Sequence, residues 1–144
     1  MKLAKYNAEL FSKDPDTQVG CIIVPIDCSR ILSTGINGFP RKIKDDMETG
    51  RWQRPDKYTW VTHAEVNAIC NAARTGTCLD GACAIVTMFP CVNCAKTMIQ
   101  AGISIIYVPN KPDINDHKWG KEFEIAWSMF EEVNITIKFL NEFI

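Results

Sequence analysis

The sequence predicts an α/β protein, a three-layer α-β-α sandwich around one mixed five-stranded sheet. Three observations carry that expectation. Segments with apolar residues at helical spacing alternate with short β-branched runs, in the order helix, hairpin, helix, strand, helix, strand, helix, strand. Proline and glycine punctuate nearly every junction between them. The length of 144 residues, 47% of them hydrophobic and 23% charged, suits a single domain (residues 1–144) with one core, and no internal repeat or low-complexity tract divides it.

Leu3, Ala4, Ala8 and Phe11 give residues 2–12 an amphipathic helix, closed by the turn formers of 12–16. Residues 18–24 read as a buried strand, and 31–36 return after a turn as its hairpin partner. A long polar stretch then runs from Asn37 to Trp60, and a loop of that length inside a compact domain is functional or disordered. Residues 63–74 read as a helix with Val66, Ile69, Cys70 and Ala73 on its apolar side. Gly76 and Gly81 bracket the connection to a buried strand at 82–88. Pro90 opens a helix over 91–101 and Gly102 stops it. A short strand at 104–108, a helix at 119–132 and an alternating strand at 134–140 complete the chain.

Composition excludes several classes. A net charge of −1 argues against a duplex-binding protein, which needs a strongly basic face. The longest purely aliphatic run, residues 22–24, is too short to span a bilayer. The first nine residues carry scattered charges and no apolar run, unlike a signal peptide, so a cytoplasmic protein is expected. Seven cysteines without an export signal are expected to stay reduced, and an odd number cannot pair fully. Cys21, Cys70 and Cys83 read as core residues, Cys28 and Cys78 as turn residues.

Two short segments carry the chemistry: His63-Ala64-Glu65 and Pro90-Cys91-Val92-Asn93-Cys94. Cys91 and Cys94 lie three apart in the first turn of a helix, so both sulfurs can face one point. A helix N-terminus lowers thiol pKa and suits thiolate ligands. His63 supplies an imidazole, and three protein ligands leave the fourth tetrahedral position of a Zn2+ ion for water, as in catalytic sites. Glu65 stands beside the metal without binding it, placed to move a proton. H-x-E followed by P-C-x-x-C is the known signature of zinc nucleobase deaminases, so this step matches a motif rather than deriving one. A structural zinc site needs a fourth ligand; Cys70, Cys78, Cys83 and His117 lie in no second paired spacing.

The chain resembles the deoxycytidylate (dCMP) deaminases of the cytidine deaminase-like superfamily, viral members included. The resemblance rests on Ser12-Lys13-Asp14-Pro15, Thr17-Gln18-Val19-Gly20 and Gly35-Ile36-Asn37-Gly38-Phe39-Pro40-Arg41. It continues through His63-Ala64-Glu65-Val66-Asn67-Ala68-Ile69 and Pro90-Cys91-Val92-Asn93-Cys94-Ala95. It implies a cytidine deaminase-like fold and hydrolysis of dCMP to dUMP and ammonia, feeding the dTTP precursor pool. Glu65 passes a proton to ring nitrogen 3 and then to the leaving amine, the Ala64 N–H holds the base carbonyl, and Asn37 bonds the sugar 3′-hydroxyl. Read alone, Asn37-Gly38 is equally a turn. The resemblance further implies activation by dCTP and inhibition by dTTP, with Mg2+ accompanying the triphosphates, Arg74 on an effector phosphate, and a homo-oligomer, commonly a hexamer. Arg74 also suits the C-terminal dipole of its helix. Additional activity on dCTP fits the long loop.

One departure concerns the phosphate. Many relatives place a substrate-contacting tyrosine after the strand equivalent to 104–108, whereas residues 109–118 contain none. Lys111, His117 and Lys118 are the stand-ins, while Arg41, Lys42 and Lys44 either meet phosphates or solvate the loop. The stripe Trp119, Phe123, Trp127, Phe130 fits core packing or an oligomer interface better than base stacking. Two other functions compete: a polynucleotide deaminase, which needs a basic track with stacking aromatics, and a zinc-stabilised binding module without turnover. The near-neutral charge weighs against the first, so nucleic acid and membrane are not expected partners.

Overall fold

A computed structural model describes residues 1–140 and shows one five-stranded sheet of order β2-β1-β3-β4-β5. Strands β1 (Gly20–Val24), β2 (Ser33–Ile36) and β3 (Cys83–Val86) pair antiparallel about β1, and β4 (Ile105–Val108) and β5 (Thr136–Phe139) add parallel to β3. Helix α1 (Lys2–Phe11) covers one face, where Ala4 meets Ile22, Val24 and Cys83. Helices α3 (Ala64–Thr75), α4 (Val92–Gln100) and α5 (Gly120–Glu132) cover the other, over Cys21, Ile23, Val86, Ile106 and Val108. The expected mixed sheet between two helical layers is therefore present. No helix among the described residues is long and apolar enough to cross a membrane.

Close backbone approach sets the details that sequence spacing misses. A Cβ at Gly35 in β2 would lie 2.1 Å from the Ala64 carbonyl oxygen of α3, so no side chain fits at that position and the two backbones touch. Helix α3 therefore buries Ala64, Glu65, Ala68 and Ala72. Val66 and Ile69 are half-buried flanks, and Cys70 and Ala73, expected inside, are exposed. Helix α1 repeats the pattern. A Cβ at Gly20 would lie 2.1 Å from the Ala4 carbonyl oxygen, so Ala4 and Ala8 are buried while Leu3 and Phe11 are exposed. In both helices the buried alanines (Ala4 and Ala8 in α1, Ala64, Ala68 and Ala72 in α3), not the large apolar residues, mark the sheet-facing side.

The strands are shorter than the apolar runs. Residues 18–19 stand outside β1 because the Val19 N–H bonds the Asn37 side chain instead of a ladder partner. Ile31 lies in an exposed turn ahead of β2, and Met88 lies exposed beyond β3. The polar stretch after β2 is also more ordered than a bare loop. It contains a 3₁₀ turn, Met47–Thr49, and a short helix α2 (Lys57–Trp60). Gly38 and Thr62 close it by exchanging backbone hydrogen bonds of 3.1 and 2.8 Å. Within it Trp52 is buried against Phe39, ring centroids 4.3 Å apart, and its indole N–H donates to the Asp45 carbonyl.

Candidate active site

Two helix N-termini converge beyond the C-terminal end of β3. His63 caps α3 and Cys91 caps α4, each with extended backbone, which points their side chains across the first turns. Cys94 follows one turn into α4. The His63 Nδ1 lies 3.5 Å from Cys91 Sγ and 3.4 Å from Cys94 Sγ, and the three ligand atoms lie within 4.8 Å of one another. A tetrahedral zinc with bonds of about 2.0–2.3 Å needs neighbouring ligand atoms roughly 3.6 Å apart. The donor set fits that ion in chemistry and in spacing.

The same geometry explains the acidities. The Cys91 thiol is held down at about 4, chiefly by the hydrogen bond from Cys94 and then by His63, while the same hydrogen bond and burial push Cys94 far up. Hydrogen bonding to Cys91 raises His63 against the opposing effect of burial. Two helix dipoles aimed at the sulfurs favour negative charge there.

Glu65 sits in the first turn of α3, is 4% exposed, and lies against the Cys94 thiol. Burial pushes its carboxyl up, partly offset by its own backbone N–H and by His63. A raised carboxyl pKa suits a group that must both accept and return a proton. Ala64, at the first position of α3, has a backbone N–H without an intrahelical acceptor. Ala64, Glu65, His63 and Cys91 all line one cavity.

Helix α3 is fixed to β2 by more than packing. Asn67 and Asn71 donate to the Ile36 and Thr34 carbonyls at 2.7 and 2.8 Å, and the Ser33 hydroxyl donates to the Ala68 carbonyl at 2.6 Å. At α4, the Val92 N–H donates to Glu122 of α5 at 3.2 Å, satisfying a helix-start donor beside both cysteines.

Asn37 lines the cavity, but its amide is fully engaged by the chain. Its Oδ1 accepts from the Ser12 hydroxyl and the Val19 N–H, both at 2.8 Å, and its Nδ2 donates to Thr17 O at 2.8 Å and Asp14 Oδ2 at 3.1 Å. Asp14 is in turn buried against Lys57 of α2, whose ammonium donates at 2.8 and 3.1 Å to its two oxygens and at 2.9 Å to Asp16. Sequence reading missed this ion pair, because nothing local announces that Asp14 and Lys57, 43 positions apart, will meet.

The cavity wall also holds Arg54, Tyr58, Lys118, Trp119 and Phe123. The aromatic stripe thus divides. Phe130 is fully buried, Phe89 stacks on Trp127 with centroids 5.8 Å apart, and Trp119 and Phe123 face the cavity. Arg74 stands apart, exposed in the last turn of α3. Arg41 bonds Asn71 in a separate groove with Phe39 and Asn67.

The family described as the cytidine and deoxycytidylate deaminase zinc-binding region matches residues 1–109. A probable deoxycytidylate deaminase of Caenorhabditis elegans is 43% identical over 138 residues, covering 92% of this chain and 67% of that protein. The human deoxycytidylate deaminase is 41% identical over 132 residues, covering 88% and 70%. Among solved structures, the dCMP deaminase of cyanophage S-TIM5 in complex with dCMP and dUMP superposes with a TM-score of 0.73 at 25% identity, over 95% of this chain and 90% of that one. A match over most of the chain, with the zinc-ligand donors gathered in space, makes this protein a member of the cytidine and deoxycytidylate deaminase family.

Proposed function

We propose that residues 1–144 form one zinc-dependent nucleotide deaminase domain that hydrolyses dCMP to dUMP and ammonia. The observation that carries this reading is the buried Glu65 carboxyl beside the clustered His63, Cys91 and Cys94 donors, at a cavity that Glu65, His63 and Cys91 line together with Lys118 and Arg54. His63, Cys91 and Cys94 would hold the metal. When bound, zinc supplies the Lewis acidity that makes water a nucleophile near neutral pH. Glu65 takes the first proton released by water on one carboxylate oxygen and delivers it to ring nitrogen 3. After the water oxygen has bonded to carbon 4, Glu65 takes the second proton from that new hydroxyl and passes it to the amine, which leaves as ammonia as the carbon–nitrogen bond breaks. The Ala64 N–H orients the base through its carbonyl oxygen. Phe89, Trp119 and Phe123 give the ring and sugar an apolar wall that excludes bulk water. Asn37 reaches the sugar 3′-hydroxyl by exchanging one of its four bonds. The contact with Asp14, the longest at 3.1 Å, is the one it gives up.

Regulation belongs to the same proposal. dCTP activates and dTTP inhibits, with Mg2+ accompanying the triphosphates and Arg74 meeting a phosphate. Arg74 is exposed in the last turn of α3, one turn beyond Asn71, and so is free to meet a phosphate from solvent. The protein works as a homo-oligomer, a hexamer by resemblance, in the cytoplasm (the host's for a viral protein), where it feeds the dTTP precursor pool. It also deaminates dCTP.

The experiment is ammonia release by the zinc-loaded protein from cytidine, CMP, dCMP, dCTP and a deoxycytidine-containing oligonucleotide. dCMP is expected to be the preferred substrate, and preference for the oligonucleotide overturns the reading. Glu65→Gln is expected to keep its zinc and lose turnover by at least about 10²–10⁴-fold; a variant retaining a tenth of wild-type turnover removes Glu65 from proton transfer.

A further inference from the structure

Three lysines and arginines line the cavity, and their partners separate them. Lys57 is saturated: all three of its ammonium hydrogen bonds go to Asp14 and Asp16 carboxylate oxygens. Arg54 gives Nε to Asp16 at 3.2 Å, leaving its terminal nitrogens. Lys118 is held by neutral groups. Its ammonium donates to the Tyr58 hydroxyl, lies 3.9 Å from the centre of the Tyr58 ring, and lies 5.1 Å from that of Trp119.

From this we infer that Lys118 and Tyr58, assisted by Arg54, form the subsite for the 5′-phosphate of the substrate. The inference rests on the nucleotide deaminase reading above and assigns to named residues the part of the ligand that the family motifs leave open. Tyr58 accepts from Lys118, so its own O–H is directed elsewhere, and Lys118 keeps two N–H donors. A phosphate dianion at that point receives up to three hydrogen bonds from one lysine–tyrosine unit, two of them charge-assisted. The loop before α5 is built to place this lysine. Asp116 Oδ1 accepts from the backbone N–H groups of Lys118 and Trp119 at 2.8 and 2.7 Å, fixing a turn just before the helix. Across the mouth, the Trp119 ring meets Tyr58 edge-on, centroids 6.4 Å apart, so α2 and this loop close on each other at the subsite.

The same arrangement decides among the sequence's stand-ins for the missing tyrosine. Lys111 lies over Trp127, 5.5 Å from its ring centre, on the far side of the stripe. His117 is exposed and does not line the cavity. Lys118 does, and it meets a tyrosine supplied by α2 instead of by the loop itself.

The test compares wild type, Lys118→Gln, Lys118→Arg and Tyr58→Phe in kcat/KM for dCMP and for deoxycytidine. In parallel, calorimetry measures binding of dUMP and deoxyuridine to the zinc-loaded protein. Loss of charge-assisted bonds predicts that Lys118→Gln weakens dUMP binding and raises KM for dCMP by roughly 10–100-fold. The loss on dCMP should exceed that on deoxycytidine at least tenfold, with Lys118→Arg recovering most of it. Tyr58→Phe should show a smaller loss with the same selectivity. Equal losses on nucleotide and nucleoside, or no loss on either, overturn the subsite. Lys118-dependent dUMP binding in a protein that does not deaminate dCMP refutes the deaminase reading and keeps the subsite. Deamination of dCMP that ignores Lys118 does the reverse.

Discussion

Replacing Lys57 by methionine removes the cation paired with Asp14. Both side chains are almost sealed, at 5% and 3% exposure, and the ammonium contacts both Asp14 oxygens at 2.8 and 3.1 Å. Breaking a buried pair on one side costs about 3–5 kcal/mol, because the remaining charge is left uncompensated. Here Asp14 keeps three donors, the Asp16 and Thr17 N–H groups and the Asn37 amide. The low end therefore applies, and a loss of about 3 kcal/mol is expected for Lys57→Met. For a chain of this length that corresponds to a Tm drop of roughly 6–12 °C. Calorimetry and urea unfolding of the zinc-loaded protein measure it. In a cycle with Asp14→Asn the two losses should be far from additive, since neutral asparagine needs no cation. The pH dependence has a fixed sign. The hydrogen bond from Lys57 depresses Asp16 below its ordinary 3.8, so that contribution is present above about pH 4 and lost as pH falls through the folded value. Burial alone would lower Lys57, but hydrogen bonds to Asp14 and Asp16 outweigh it and raise it above 10.5, so its contribution is lost as pH rises through that higher value. The gap between wild type and variant should be widest between these limits and close toward both ends. A Tm drop below about 2 °C, or additivity within about 0.5 kcal/mol, refutes the reasoning.

Zinc should bind at one site per chain through His63, Cys91 and Cys94; anomalous scattering at the zinc edge checks this, and a peak at Cys70 or Cys83 with none near Cys91 overturns it. Gly35→Ala should be among the most damaging single changes, because its methyl carbon would lie 2.1 Å from the Ala64 carbonyl oxygen and 2.3 Å from the Ala68 nitrogen. Overpacking of that kind costs about 1–3 kcal/mol or more, and lower zinc occupancy together with a lower Tm is the expected readout. Saturation curves for dCMP should shift with dCTP and with dTTP, and Arg74→Ala should blunt both shifts; effector sensitivity unchanged in that variant removes Arg74 from the site, and a wild type blind to both triphosphates removes the control altogether.

The sheet, its helical layers and the metal donors were legible in the sequence because each depends on short-range pattern. β-branched runs marked strands, proline and glycine marked junctions, and C-x-x-C behind a proline marked the start of α4. Errors arose where tertiary approach overrode the pattern. Cys70 and Ala73 look apolar enough to be inside, yet the contact of α3 with Gly35 turns the alanine side to the sheet and leaves them in water. The Asp14–Lys57 pair, the Glu122 bond to Val92 and the Tyr58–Lys118 contact join residues 43, 30 and 60 positions apart. No local signal encodes such pairings. The closest available hint was Asp-Lys-Tyr at 56–58, a polar cluster inside a stretch that otherwise read as loop.

The position of Glu65 and the route by which any effector could move it are set by the same contacts. Helix α3 carries Glu65 in its first turn and Arg74 in its last, about 13 Å apart at 1.5 Å per residue. Asn67, Asn71 and Ser33 tie that helix to β2, and the absent Cβ of Gly35 lets the two backbones touch. A helix so fixed transmits displacement along its length and resists bending toward the sheet, because the interface has no free space to close. A triphosphate gripping Arg74 would therefore shift Glu65 by sliding or rotating α3 as a unit against β2. The Asn67 and Asn71 bonds to the Ile36 and Thr34 carbonyls are the polar contacts such a shift must break or remake. An effector changes the rate only through the difference in its affinity for the two helix positions. Asn71→Ala, which removes one tie without touching Glu65 or a metal ligand, should thus change the response to dCTP and dTTP more than it changes the basal rate.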